Sequence, residues 1–219
     1  VGATTDCFVS LNHEEEQLLP GFQWTPLRFL TGHGHESLAA RYASFLLSFK
    51  NRRVMRVQWD GEDWIHRWGN NVLVNYRPTP EALTLGVDDL QLFFYDYVPQ
   101  QGDTVIDVGA GIGTELKVLS ELVGPRGRVI AIEADPAAFR RLAKVNKLLG
   151  LTNTVLIEGA AGAESGIAHL SQVDLDAIGN FLTTETNPGA VQVDVMTLDS
   201  LVGKLELDTV DYVKMNIEG

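Results

Sequence analysis

Cysteine is almost absent: Cys7 is the only one in 219 residues. That excludes an intrachain disulfide and any multi-cysteine metal site. Long apolar runs are absent too. The greasiest patch, Phe45 to Phe49, is broken by Ser48, far short of the ~18 residues that cross a bilayer, so no membrane span is expected. The residues from Val1 onward lack a basic stretch followed by an apolar core, so no signal peptide is expected and a cytoplasmic address fits. Bases are scarce, 17 Lys and Arg against 29 Asp and Glu, for a formal net charge of −12. Residues 157–219 carry 11 acids and 2 bases. Such a field repels a polyanion, and nucleic acid is not an expected partner. One basic cluster, Lys50, Arg52, Arg53 and Arg56, reads as a solvated face, with an anionic ligand as the alternative. At 45% hydrophobic and 21% charged residues, the composition is that of a globular chain and excludes a disordered one.

What is present divides near Gly102. Residues 1–100 hold mixed elements. Leu38, Tyr42, Phe45, Leu46 and Phe49 fall at helical spacing and predict an amphipathic helix. Val54–Trp59, Trp64–Trp68 and Val72–Tyr76 are β-rich runs separated by Asp60-Gly61 and Gly69-Asn70-Asn71, which predicts a small antiparallel meander. Thr79 before Pro80 reads as a helix start, and Leu90, Phe93, Phe94 and Tyr97 continue at helical spacing.

Residues 101–219 alternate strand and helix. Thr104–Val108, Arg128–Glu133, Val155–Glu158 and Val210–Asn216 read as strands. Thr114–Val123 and a segment from Asp135-Pro136 to Gly150 read as helices. Further strands are expected around Ile167–Leu170 and Val191–Val195. Alternation of this kind predicts an α/β fold: a doubly wound, mostly parallel sheet covered by helices on both faces, preceded by an α+β extension. Ligand sites in such a sheet lie at the carboxyl ends of the strands.

There the chain reads Asp107-Val108-Gly109-Ala110-Gly111-Ile112-Gly113, closing the first parallel strand and opening a helix. Glycines let the backbone turn tightly and let a ligand approach with no Cβ in the way. Glu133 stands twenty residues past Gly113, at the end of the second strand, where a carboxylate can accept both hydroxyls of a ribose. Two cofactor classes use such an acid. A dinucleotide fingerprint requires a third glycine or alanine where this chain has Thr114, so a nicotinamide-dependent oxidoreductase is the lesser alternative.

The G-x-G-x-G spacing, with Asp107 ahead of it, resembles motif I of class I S-adenosylmethionine-dependent methyltransferases. Further on, Val129 to Pro136, Leu142, Asn146 and Leu149, Ala160-Ala161-Gly162, Thr197 to Leu201 and above all Asp211 to Gly219 resemble the FkbM family of methyltransferases. The resemblance covers about Gly102 to Gly219. It implies a Rossmann-like methyltransferase fold and S-adenosylmethionine as cofactor, with S-adenosylhomocysteine as product. It also implies O-methylation of a small-molecule or glycan acceptor such as a sugar, glycolipid or natural product. The cofactor-binding residues it implies are Asp107, Gly109, Ala110, Gly111, Gly113, Glu133, Ala160 and Asn216. The family phrase usually carries Asp where this chain has Asn216, and Asn can act neither as a base nor as a strong hard-metal ligand. A complete sheet of this class has seven strands, and the chain is expected to be a fragment that stops after the fourth.

An aliphatic hydroxyl must lose its proton during methyl transfer, and Lys214 and Glu218 are the candidate catalytic groups. No metal site is expected. His33-Gly34-His35-Glu36 reads as a polar surface loop, because two histidines two apart with no third ligand make a poor metal site. His66, between Trp64 and Trp68, shares their face of a strand and fits aromatic pairing, with sugar stacking as the alternative. A non-catalytic nucleoside-binding or interaction domain is the competing reading from outside enzymology.

Overall fold

The computed structural model describes residues 34–78, 93–171, 181–183 and 190–217. The chain forms two compact units. Described residues of the first are 34–69 and 76–78, and those of the second are 70–75, 93–171, 181–183 and 190–217.

In the first unit, helix α1 (Glu36–Lys50) packs on β1 (Arg56–Trp59), which pairs antiparallel with β2 (Trp64–Trp68). The helix is where the spacing predicts it, but it buries another face. Ala39, Ala43 and Leu47 are buried, whereas Leu38, Phe45 and Phe49 are exposed. Two hydroxyls explain the choice. Ser48 Oγ accepts the Met55 N–H at 2.9 Å and Ser44 Oγ accepts the Val57 N–H at 2.8 Å. The small residues bring the helix close enough for its serines to accept backbone N–H groups at and just before β1. Trp64, His66 and Trp68 are all buried. Trp64 packs on Trp59 with ring centroids 5.0 Å apart, and His66 Nε2 lies 2.9 Å from the Pro78 carbonyl, so these side chains belong to the core.

In the second unit, β3 (Asn71–Asn75) lies against α3 (Pro136–Leu149). The unit is built on a four-stranded parallel sheet containing β4 (Thr104–Val108), β5 (Arg128–Glu133), β6 (Thr154–Glu158) and β11 (Tyr212–Met215), in the order β11-β4-β5-β6. Helix α2 (Leu116–Val123) links β4 to β5 and α3 links β5 to β6. Asp135 caps α3 by accepting the N–H groups of Ala137 and Ala138, and Gly150 ends it in the left-handed region, as the sequence predicts. Period-two alternation sorts the sheet. Val105, Val129 and Ala131 pack with Leu116, Leu119, Val123 and Leu142 of α2 and α3. Ile106, Val108, Ile130 and Ile132 face Leu201 of α4 (Leu198–Lys204). Each valine, leucine and isoleucine among them contributes about 1.5–3 kcal/mol on burial. Helices therefore cover both faces, as expected of a doubly wound fold. The chain direction switches between β4 and β11, the place where open parallel sheets hold ligands.

One expectation gains detail and one needs amendment. The strands near Ile167–Leu170 and Val191–Val195 are present as β8 (Gly166–Ser171) and β10 (Val191–Met196), but they form a second sheet with β7 (Ala160–Ala161) and β9 (Phe181–Thr183), in the order β7-β10-β8-β9. β8 and β10 pair antiparallel with each other, which removes them from the parallel sheet. Phe93 to Asp96 are turn and bend and Tyr97 is irregular, so this stretch is not helix. Its aromatics gather around Tyr212, whose ring lies 5.9 Å from that of Phe94 and 6.2 Å from that of Tyr97. Thr79, Pro80, Leu90, His33 and Glu218 lie outside the described residues.

Candidate functional site

The carboxyl ends of β4, β5 and β11 converge on the glycine loop. The Gly109 and Ala110 N–H groups both donate to the Ile132 carbonyl at 3.0 Å, which holds the first loop residues on the end of β5. Gly109 has φ +76°, and a Cβ there would stand 2.3 Å from the Asn216 backbone oxygen, so only a bare backbone fits beside the exit of β11. Gly111 has φ +57°, and a Cβ on it would meet nothing within 4 Å. Its surroundings are open, so its requirement is conformational.

Glu133 bridges the loop and the start of α3. Its Oε2 accepts the Gly111 N–H at 2.7 Å and its Oε1 accepts the Asp135 N–H at 2.7 Å. Burial pushes its pKa up, and these N–H groups pull against that shift. An ionised carboxylate offers about four lone-pair sites; the N–H groups of Gly111, Asp135 and Ala134 draw on them, and the remaining capacity suits a ribose hydroxyl.

Asp107, Glu133 and Lys214 share the α2–α3 face of the sheet by alternation. Asp107 and Lys214 are also in register on adjacent strands. Lys214 Nζ donates to Asp107 Oδ1 at 2.8 Å and lies 3.8 Å from Glu115 Oε2. Its ammonium also sits 5.2 Å from the Phe93 ring centroid. All three ionic groups are buried. Asp107 Oδ2 is buried and has no hydrogen-bond partner among the described residues. Burial raises the Asp107 pKa, with Lys214 pulling it back. Burial alone would lower that of Lys214, but Asp107 and Glu115 together raise it. Lys214 is therefore a charged ammonium.

Asp107, Glu115, Glu133 and Asp135 are all buried here, against the single Lys214 among the described residues. Such a field repels the pyrophosphate of a dinucleotide and favours a cationic ligand. S-adenosylmethionine, with its positive sulfonium and ammonium groups, matches this charge. The Glu133 carboxylate, Asp107 Oδ2 and the open space at Gly111 fit its ribose, its amino group and its close approach.

The other expected residues are distributed differently. The Ala110 side chain is in the core beside Leu116, and its N–H is spent on Ile132. Gly113 donates its N–H to the Ala110 carbonyl at 3.0 Å and closes the turn. The Ala160 side chain packs with Leu170 and Val193 in the second sheet. Asn216 is exposed, gives its N–H to the Val108 carbonyl at 3.0 Å and follows the end of β11 at Met215. Glu115 was not anticipated, and neither was Thr114, whose hydroxyl donates to Glu115 Oε2 at 2.6 Å. The signal was present: Glu115 is four residues before the buried Leu119, and an acid on a helix's apolar face needs a partner.

Among the described residues, no group of three or more His, Cys, Asp or Glu could hold a metal ion, and no helix is long and apolar enough to cross a membrane. Comparison with known proteins gives three likenesses. A protein-L-isoaspartate O-methyltransferase of Ignicoccus hospitalis is 40% identical over 60 residues, 27% of this chain and 28% of that protein. Another, of Methanothermobacter thermautotrophicus, is 26% identical over 108 residues, 49% and 48% of the two chains. The chain thus spans between about a quarter and a half of these relatives. The solved structure of M. jannaschii TYW2 in complex with AdoMet aligns at 21% identity and a TM-score of 0.36, over 47% of this chain and 46% of that one. Residues 107–219 match the Methyltransferase FkbM domain, and with the loop, its acid and the closing phrase all inside that span, the chain belongs to the FkbM methyltransferase family, whose methyl donor is S-adenosylmethionine.

Proposed function

We propose that this chain is the cofactor-binding and catalytic part of an S-adenosylmethionine-dependent O-methyltransferase acting on a hydroxyl of a sugar, glycolipid or natural product. The observation that carries the cofactor half is the Glu133 carboxylate bonded to the Gly111 N–H at 2.7 Å, in a buried acidic setting. The family resemblance supplies the acceptor class. A cytoplasmic site of action goes with this reading, since a chain whose only cysteine is Cys7 gains nothing from an oxidising compartment.

When bound, the cofactor supplies a methyl group on a positively charged sulfur, open to in-line displacement. Glu133 holds the ribose, and the loop around Gly111 lets it come close. Asp107 Oδ2 takes the amino group. Lys214 fixes Asp107 in place and prevents it from acting as an isolated buried charge. Holding the acceptor oxygen in line supplies up to roughly 7–11 kcal/mol of the rate enhancement by proximity and orientation alone. A charged, buried ammonium cannot accept a proton, so of the two candidate catalytic groups Lys214 becomes a positioning residue and Glu218 keeps the role of base.

Calorimetric titration with S-adenosylmethionine, S-adenosylhomocysteine and NAD tests the cofactor half. Binding of the first two and not the third is expected; binding of NAD alone overturns the reading. Two of the relatives above are named as acting on protein isoaspartate, so a protein carboxylate is the second reading for the acceptor. Radiolabelled methyl separates the two. An ether formed on a hydroxyl survives mild alkali, whereas a methyl ester releases volatile methanol.

A further inference from the structure

The first unit carries a surface that the methyl-transfer reading does not use. Because α1 buries its small residues, its large ones face outward: Leu38 is 51% exposed, Phe45 67% and Phe49 77%. They lie at i, i+7 and i+11, with the half-buried Tyr42 between them, and so form one stripe along the helix. Just past the helix Val54 is 75% exposed. An exposed apolar stripe of this length marks an interaction surface.

Its charge setting runs against that of the rest of the chain. From Arg41 to Arg56 there are five bases and no acid, in a protein of net charge −12. Arg41, Lys50, Arg52, Arg53 and Arg56 are all exposed. Arg41 flanks the stripe at its middle, and the other four follow one another at and beyond the helix's C-terminal end. Arg52 sits at φ +49°, in the left-handed region where a helix terminus normally carries glycine. The backbone there bears an arginine against its own conformational preference.

We propose that this face of α1 docks on an anionic lipid surface. Phe45, Phe49, Leu38 and Val54 enter the boundary of the acyl chains, and the five bases lie among the head groups. The exposed stripe runs along one face of a single helix, and interfacial helices bury such an apolar face only ~5–10 Å deep. Basic residues beside it are attracted by the negative surface potential of an anionic leaflet. A second copy of the chain is a poor occupant, because face-to-face pairing would bring two sets of five bases together. The surface is peripheral and needs no membrane-crossing helix. It stands independently of the methyl-transfer reading.

Co-sedimentation of the whole chain with lipid vesicles tests it. Partition onto phosphatidylglycerol-containing vesicles is expected, at least tenfold stronger than onto pure phosphatidylcholine and falling as salt is raised. Phe45→Ser with Phe49→Ser should lower the partition at least tenfold, and Arg52→Gln with Arg53→Gln at least fivefold. Lys204→Gln, an exposed base on the second unit, should leave it unchanged. Both phenylalanines are largely in solvent, so circular dichroism and the thermal midpoint should not fall. No partition onto the anionic vesicles overturns the proposal, as does partition equal for wild type and the Phe45/Phe49 variant. Concentration-dependent self-association abolished by the same pair, without vesicle binding, also overturns it and assigns the face to a second copy.

Discussion

Lys214 and Asp107 stand side by side on adjacent parallel strands, their Cα atoms in register and their charged groups 2.8 Å apart in the buried face of the sheet. Glu115, from the turn before α2, approaches the same ammonium at 3.8 Å. One lysine thus ties together three pieces of backbone that meet at the glycine loop: the end of β4, the end of β11 and the entry to α2. A buried ion pair is poor evidence for net stability, but removing one partner is costly because it strands the other.

Lys214→Met should therefore destabilise the protein by about 3–5 kcal/mol, since it leaves Asp107 and Glu115 buried without a counter-charge. The double variant Lys214→Met with Asp107→Leu should recover much of that loss. Urea unfolding of the four proteins of this cycle measures it. Additive losses would show that the two side chains do not depend on each other.

Removing the Glu133 carboxylate acts on the cofactor and on the fold together. Glu133→Ala should weaken S-adenosylmethionine binding at least tenfold. It should also cost about 1–3 kcal/mol of stability, because the Gly111 and Asp135 N–H groups lose their acceptor. Glu133→Gln keeps one acceptor oxygen and should fall between. Calorimetry and thermal melts separate the two effects. Unchanged cofactor affinity in Glu133→Ala would mean that the ribose binds elsewhere.

Much of this architecture was legible where local chemistry decides. β4 and β5 lie where the apolar runs and turn signals place them, and α3 runs between its Asp135 cap and Gly150. The loop and its acid were legible because glycine spacing and a carboxylate at a strand end have few other uses. What was missed depends on tertiary contacts. Hydrophobic spacing gave α1 its helix but the wrong buried face, since Ser44 and Ser48 bind strand backbone and need close packing that phenylalanine would prevent. The second core made by antiparallel pairing of β8 with β10, which takes in the Ala160 side chain, was likewise beyond local spacing. Lys214 looked available as a base until the register set it against Asp107.

The two loop glycines should respond differently to the same substitution. At Gly109 an added methyl meets the Asn216 carbonyl at 2.3 Å, a backbone collision that cannot be relieved by a rotamer change. Gly109→Ala should therefore lower the thermal midpoint sharply and impair folding. Gly111→Ala meets no atom within 4 Å, so its cost is the left-handed conformation alone, about 1–2 kcal/mol. It should fold, with cofactor affinity reduced more than stability. Equal losses of stability in the two variants would contradict this assignment.

Stability should also depend on pH through Asp107. Burial raises its pKa above the ordinary value of 3.8, against the pull of Lys214. The unfolded chain then releases this proton at a lower pH than the folded one does. Between those two values the native state binds more protons, so stability falls as pH rises and levels off once the folded carboxyl has ionised. Asp107→Asn cannot titrate there. The stability difference, wild type minus Asp107→Asn, should therefore decline with pH from about 3.8 upward and then become flat. Urea midpoints of the cofactor-free protein in a pH series give that curve. A difference that rises over the same interval would mean that Lys214 lowers the Asp107 pKa by more than burial raises it.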